Sequence, residues 1–141
     1  MSFTASARRI GDTLRHEVDV NGRHTIITDE PETLGGTDTG PAPHELLPAA
    51  LASCISTVVA MYAQRKEWEI GEVRVDVEYD HESVPRRFDV TVHLPDGLTQ
   101  DQIDRLGRVA DTCPVRRALD VGFTFDERLH TADGLVPSGQ S

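Results

Sequence analysis

Two cysteines, Cys54 and Cys113, are the whole thiol complement of this 141-residue chain, and each stands where a thiol is uncommon. Cys54 lies inside an apolar, alanine-rich run, with Leu47, Ala50, Leu51, Val58 and Met61 at helical neighbour spacing. Such surroundings raise a thiol's pKa and leave it inert unless a cation lies beside it. Cys113 directly precedes Pro114, and proline is favoured at the first position of a helix, so Cys113 is expected to be an N-cap. A thiolate there would accept the unpaired amides of the following turn at the positive end of its dipole, with Arg116 and Arg117 one turn inside. Each cysteine also has a plain structural reading, as a core residue for Cys54 and as the end of an amphipathic stripe for Cys113. As a pair they suggest a nucleophile and its resolving thiol.

Other chemistry-bearing residues are sparser. His44 and Glu45 precede Cys54 by ten and nine residues, and a carboxylate or imidazole at a helix start is commonly a cap or dipole partner. His44 would reach the thiol only if the helix begins after it, which leaves a Cys54–His44 hydrolase or acyl transferase as a rival reading. The six histidines show no CxxC, HxH or HExxH spacing, so no metal site is expected. Gly35-Gly36 reads as a turn and not a phosphate cradle, because no strand immediately precedes it and no lysine follows.

The elements that must carry these residues follow from periodicity. Thr13–Val20 alternates at strand period, Asn21-Gly22 is a hairpin signal, and Arg23–Thr28 returns as the partner strand. Asp29–Pro43, with three glycines and three prolines and no periodicity, is a loop of unusual length, a class that is often functional. An apolar helix is predicted from residue 45 or 46 to about 64, with Pro48 tolerated in its first turn. Val73–Tyr79 and Phe88–Leu94 alternate as a second hairpin. Thr99 and Gln102 form a capping box for a second helix, with Ile103, Leu106, Val109, Ala110 and Cys113 on one stripe. Pro114 opens a short helix to Leu119, Gly122–Asp126 reads as a last strand, and 131–141 as a frayed tail.

This order specifies one α+β domain over residues 1–141 with a mostly antiparallel sheet and a long central cysteine-bearing helix. A single layer of five or six strands would cover one side of that helix only, so a homodimer sharing it is expected. The net charge of −10, from 24 acidic and 14 basic residues without a basic block, argues against a nucleic-acid partner. The one apolar stretch of span length, Leu46–Ala63, contains Pro48, Ser53, Ser56 and Thr57 and reads as buried in protein, not membrane. No signal-peptide core stands at the N-terminus, so a cytoplasmic location is expected, where a cysteine pair is seldom a permanent structural disulfide.

The segments Gly40–Cys54 (GPAPHELLPAALASC) and Ala110–Leu119 (ADTCPVRRAL) together resemble the OsmC/Ohr family of thiol peroxidases. Met61–Lys66 and Asp29-Glu30-Pro31 are similar to the OsmC-like subgroup within it. The resemblance implies an intertwined α+β homodimer with a site at each end of its interface. It implies that Cys54 is the peroxidatic thiol, oxidised to sulfenic acid by an organic or fatty-acid hydroperoxide, and that Cys113 resolves it as an intramolecular disulfide. An external dithiol such as a lipoylated protein would be the reductant, and neither metal nor flavin is required. The family places a glutamate ten residues before the peroxidatic cysteine, where this chain has His44, with Glu45 one step later. It also places an arginine in the first hairpin region to hold the thiolate, for which Arg15 is the first choice and Arg9 and Arg23 the alternatives. A guanidinium cannot lose its charge, so it suits a thiolate on an apolar helix face. A pocket of Leu51, Val58 and Met61 would favour an alkyl hydroperoxide over hydrated hydrogen peroxide. A non-catalytic dimeric binding or scaffold protein is the remaining alternative.

Overall fold

The structure, a computed structural model, describes residues 1–136. Strands β1 (Ala5–Arg9), β2 (His16–Val20) and β3 (His24–Thr28) form an antiparallel meander in that order. The β2–β3 turn is built on Asn21 (φ 56°) and Gly22 (φ 68°), the two left-handed residues that a type I′ hairpin requires. β1 was not foreseen, because Ala5–Arg9 is exposed throughout and carries no apolar alternation. Its strand character comes from the ladder with β2, running from Ala5↔Val20 to Arg9↔His16, and not from burial.

The long loop after β3 is ordered around one carboxylate. Asp29, 1% exposed, accepts hydrogen bonds from the Glu30 amide (2.8 Å), the Thr37 hydroxyl (2.6 Å) and the Thr39 amide and hydroxyl (3.0 and 2.7 Å). These hold its carboxyl well below the usual range, the Thr37 and Thr39 side chains contributing most. Gly36 and Gly40 pass so close to the backbones of Glu30 and Ile27 that a side chain at either would collide with them. Short 3-10 turns at Glu32–Leu34 and Pro43–Glu45 complete the segment.

Helix α1 (Leu46–Arg65) buries the stripe Leu51, Ile55, Val59 and Ala63, spaced by four residues. Strands β4 (Arg74–Asp80) and β5 (Arg87–His93) pair as Val75↔Val92, Val77↔Val90 and Tyr79↔Phe88, and their inner face covers that stripe. Helix α2 (Gln100–Ala110) closes the other side, its capping box made by Gln102 N–H to Thr99 Oγ1 (3.1 Å) and Thr99 N–H to Gln102 Oε1 (2.9 Å). Helix α3 (Pro114–Val121) follows, with Cys113 as N-cap. Leu106, Ala110 and Cys113 join the α1 stripe in one core.

Three corrections to the expected layout follow. Among the described residues the strands make three separate antiparallel sheets and not one layer, and β1–β3 packs substantially on no helix or other strand. Gly122–Asp126 is not a strand: it enters no ladder among the described residues, and Phe123 and Phe125 are exposed. Where a frayed tail is expected from residue 131, strands β6 (Leu129–Thr131) and β7 (Gly134–Val136) form a small hairpin, while 137–141 of that tail lies outside the described residues.

Candidate active site

Cys54 sits on the third turn of α1, half-buried, on the side that faces the start of α3. Cys113 is fully buried at the N-cap of α3. The two thiols are close enough to act on each other's ionisation, although 59 residues separate them in the chain. α1 and α2 pack side by side, and the Asp111–Thr112 turn brings α3 back against α1. Both cysteines are free.

The local electrostatics differ from expectation in one respect. Cys113 occupies the N-cap position, yet its side chain accepts no amide of α3. Pro114 has no N–H, so the first available donor is Val115, and that amide lies near enough to Cys54 to favour its thiolate. The helix start therefore serves the thiol on the neighbouring helix. Burial pushes the Cys54 thiol above its ordinary pKa, the adjacent Cys113 thiol adds to this, and the Val115 amide pulls the other way. Among the described residues no guanidinium offsets the burial of Cys54.

The three arginines named from the first hairpin have distinct fates. Arg9 is committed to the β1–β2 turn, donating through Nε to the Thr13 carbonyl (2.7 Å) and through its terminal nitrogen to the Asp12 carbonyl (3.0 Å). Arg23 is exposed beside the type I′ turn. Arg15, at the mouth of the β1–β2 turn, has its Nε buried with no hydrogen-bond partner. A buried guanidinium N–H is costly without an acceptor, and none is present among the described residues.

The carboxylate and imidazole candidates are placed away from the thiol. Glu45 accepts the Ala42 amide (2.8 Å), which makes it the cap of the turn leading into α1. α1 begins at Leu46, so Cys54 lies about 12 Å further along the helix, by its rise of about 1.5 Å per residue. His44 packs edge-on against Tyr79, with ring centroids 5.2 Å apart, and not toward Cys54. That geometry removes the imidazole needed for a Cys–His hydrolase within one chain.

The best-formed cleft among the described residues is lined by neither cysteine. A cleft of about 590 Å³ lies between β5, α2 and α3, with Leu51, Ile55, Phe88 and Val92 contributing its apolar wall and Arg86 and Arg116 among its polar lining. Of the three pocket residues named from sequence, Leu51 alone lines it. Val58 is packed against the core, and Met61 is 51% exposed, on a helix face that nothing among the described residues covers.

An α+β chain with antiparallel sheets and two thiols brought together by a long helix and a short one defines a class of thiol proteins. The chain belongs to the OsmC family of OsmC-like proteins, whose family model matches residues 36–128. Among solved structures it is similar to a Psychrobacter arcticus protein described as an osmotic stress induced and detoxification response protein, at 27% identity over 83% of this chain and 87% of that one, with a TM-score of 0.69. It shares the fold of an organic hydroperoxide resistance protein from Legionella pneumophila (22% identity, 84% and 89% coverage, TM-score 0.58). The same holds for one from Vibrio cholerae (20% identity, 84% of each chain, TM-score 0.58), which has captopril bound in one of its active sites. None of the curated proteins compared matches the sequence significantly.

Proposed function

We propose that this protein is a homodimeric thiol peroxidase that reduces organic hydroperoxides, with Cys54 as the attacking thiol and Cys113 as the resolving one. The observation that carries the reading is the pair of juxtaposed thiols, one half-buried and reachable, the other fully enclosed. The names of the structural relatives agree with it. The Cys54 thiolate attacks the terminal oxygen of the hydroperoxide, the O–O bond breaks, and the alkoxide leaves as the alcohol after taking a proton. Cys54 is then a sulfenic acid. The Cys113 thiolate attacks its sulfur, the S–S bond forms, and hydroxide leaves with a proton as water. An external dithiol, of the kind carried by a lipoylated protein, restores both thiols by exchange in a reducing cytoplasm, and neither metal nor flavin takes part.

Homodimerisation answers three features of the isolated chain. Only 22% of the most apolar window of the segment Pro43–Arg65, of mean hydropathy 1.8, is buried. The β1–β3 sheet stands off its own chain, and Arg15 holds an orphaned donor. A second copy laid against α1 would cover the exposed face carrying Leu47 and Met61 and bring the Arg15 guanidinium to the partner's thiolate. The pKa of Cys54, raised in the single chain, would then fall.

The missing cation also favours a second reading, a non-catalytic dimeric binding protein with inert thiols. Anaerobic titration of free thiols before and after one equivalent of cumene hydroperoxide separates the two. Loss of two thiols per chain is expected; retention of both overturns the peroxidase reading.

A further inference from the structure

We propose that His44 and His81 form a binding site for one divalent transition-metal ion of the zinc class, apart from the thiol pair. The fold assembles these imidazoles from separate elements: His44 lies in the 3-10 turn that leads into α1, and His81 is the first residue beyond β4. Their ring centroids are 5.3 Å apart and their planes tilted by 58°. Two imidazoles on one tetrahedral ion, with metal–nitrogen bonds of about 2.0–2.1 Å, place their centroids roughly 5 Å apart, so the rings stand at the spacing such an ion needs.

Both rings are exposed in the single chain. Tyr79 provides a common wall behind them, 5.2 Å from His44 and 6.0 Å from His81. Tyr79 is itself held by stacking on Phe88, its cross-strand partner, at 4.6 Å and 16°. A wall fixed in this way limits the rotamers of both imidazoles, the preorganisation a two-ligand site depends on. No third histidine, cysteine or carboxylate joins the pair among the described residues. The neighbouring carboxylates are engaged elsewhere, Glu45 on the Ala42 amide and Asp80 on the amides of Glu82 and Ser83. Water completes the coordination, and imidazole–water donor sets suit zinc, cobalt(II) and nickel(II).

The bound ion would tie the lead-in of the cysteine helix to the β4–β5 turn, 37 residues away in sequence. It would stabilise the folded chain by mass action without touching either thiol. This proposal does not rest on the peroxidase reading.

The test is isothermal titration of the intact reduced protein with zinc chloride, together with absorption spectra on adding cobalt(II). One zinc per chain is expected, with affinity at least about tenfold weaker in both His44→Ala and His81→Ala and unchanged in the exposed-surface control His24→Ala. The cobalt spectrum is expected to lack a thiolate charge-transfer band. Circular dichroism establishes that each variant is folded, and His81→Gln, on the exposed turn, replaces any alanine variant that is not. Absence of saturable zinc binding, loss of affinity in only one of the two histidine variants, or a thiolate band in the cobalt spectrum would overturn the site.

Discussion

The amide of Val115 lowers the pKa of Cys54, on a different helix, while the cysteine that caps its own helix accepts no amide from it. Pro114 creates this relationship by removing the donor that would otherwise come first. One helix start thus favours the thiolate of Cys54, while Cys113, fully enclosed, lies beside it.

The division of labour between the thiols follows from that arrangement. Cys113→Ser should leave a sulfenic acid on Cys54 that a dimedone-type reagent traps and that excess hydroperoxide carries on to sulfinic acid. Cys54→Ser should give no sulfenic acid at Cys113 and lower hydroperoxide turnover by about a hundredfold or more. In the wild type, peptide mass spectrometry should show Cys54 joined to Cys113 within one chain. Disulfides formed only between chains would discard the assignment.

Arg15 should act on the thiol of the other copy. Arg15→Ala is expected to raise the apparent pKa of Cys54 by at least about one unit and slow its alkylation at pH 7 by about tenfold. Mixing and refolding Arg15→Ala chains, slowed about tenfold, with inactive Cys54→Ser chains should restore about a quarter of wild-type turnover, because half the dimers then hold one complete site of two. If the mixture shows no more than the residual turnover of its Arg15→Ala chains while the single variants remain dimeric, the guanidinium acts within its own chain. Sedimentation at low micromolar concentration supplies the dimer check.

Asp29 should make the loop before α1 sensitive to acid. Its folded pKa lies well below the ordinary 3.8, so its contribution is full above that value and is lost as pH falls toward the folded pKa. The melting temperature of Asp29→Asn should therefore lie below wild type at pH 6, with the gap narrowing from about pH 4 downward. Limited proteolysis at pH 7 should cut Asp29→Asn within residues 30–42 about tenfold faster than wild type. A gap that is constant with pH would show that the carboxylate's charge is not what holds the loop.

Leu106, 1% exposed where α2 meets the α1 stripe, should be among the most sensitive core positions. Leu106→Ala is expected to cost about 2–5 kcal/mol by leaving a cavity, read from the denaturant midpoint at unchanged slope. Ile103→Ala, whose side chain is 40% exposed on the same helix, should cost under about 1 kcal/mol. Equal effects would mean that α2 is seated differently.

Local chemistry was legible in the sequence wherever a few neighbouring residues decide the outcome. Asn21-Gly22 set a turn needing two positive φ angles, Thr99 and Gln102 capped α2 in the expected reciprocal way, and Pro114 set the start of α3. Alternating valines marked β4 and β5, and the two cysteine motifs pointed to the family that the chain belongs to. Tertiary structure decided what depends on which surfaces meet. It placed Cys54 against Val115 and Cys113, turned His44 to Tyr79 and His81, gave Glu45 to a cap and orphaned Arg15. It also withheld the expected strand from Gly122–Asp126 while β1 formed without an apolar pattern. The reason is common to all of these: caps and turns are closed by atoms a few residues apart, whereas ladders, orphaned donors and thiol pairs depend on partners whose distance in sequence carries no information about their distance in space.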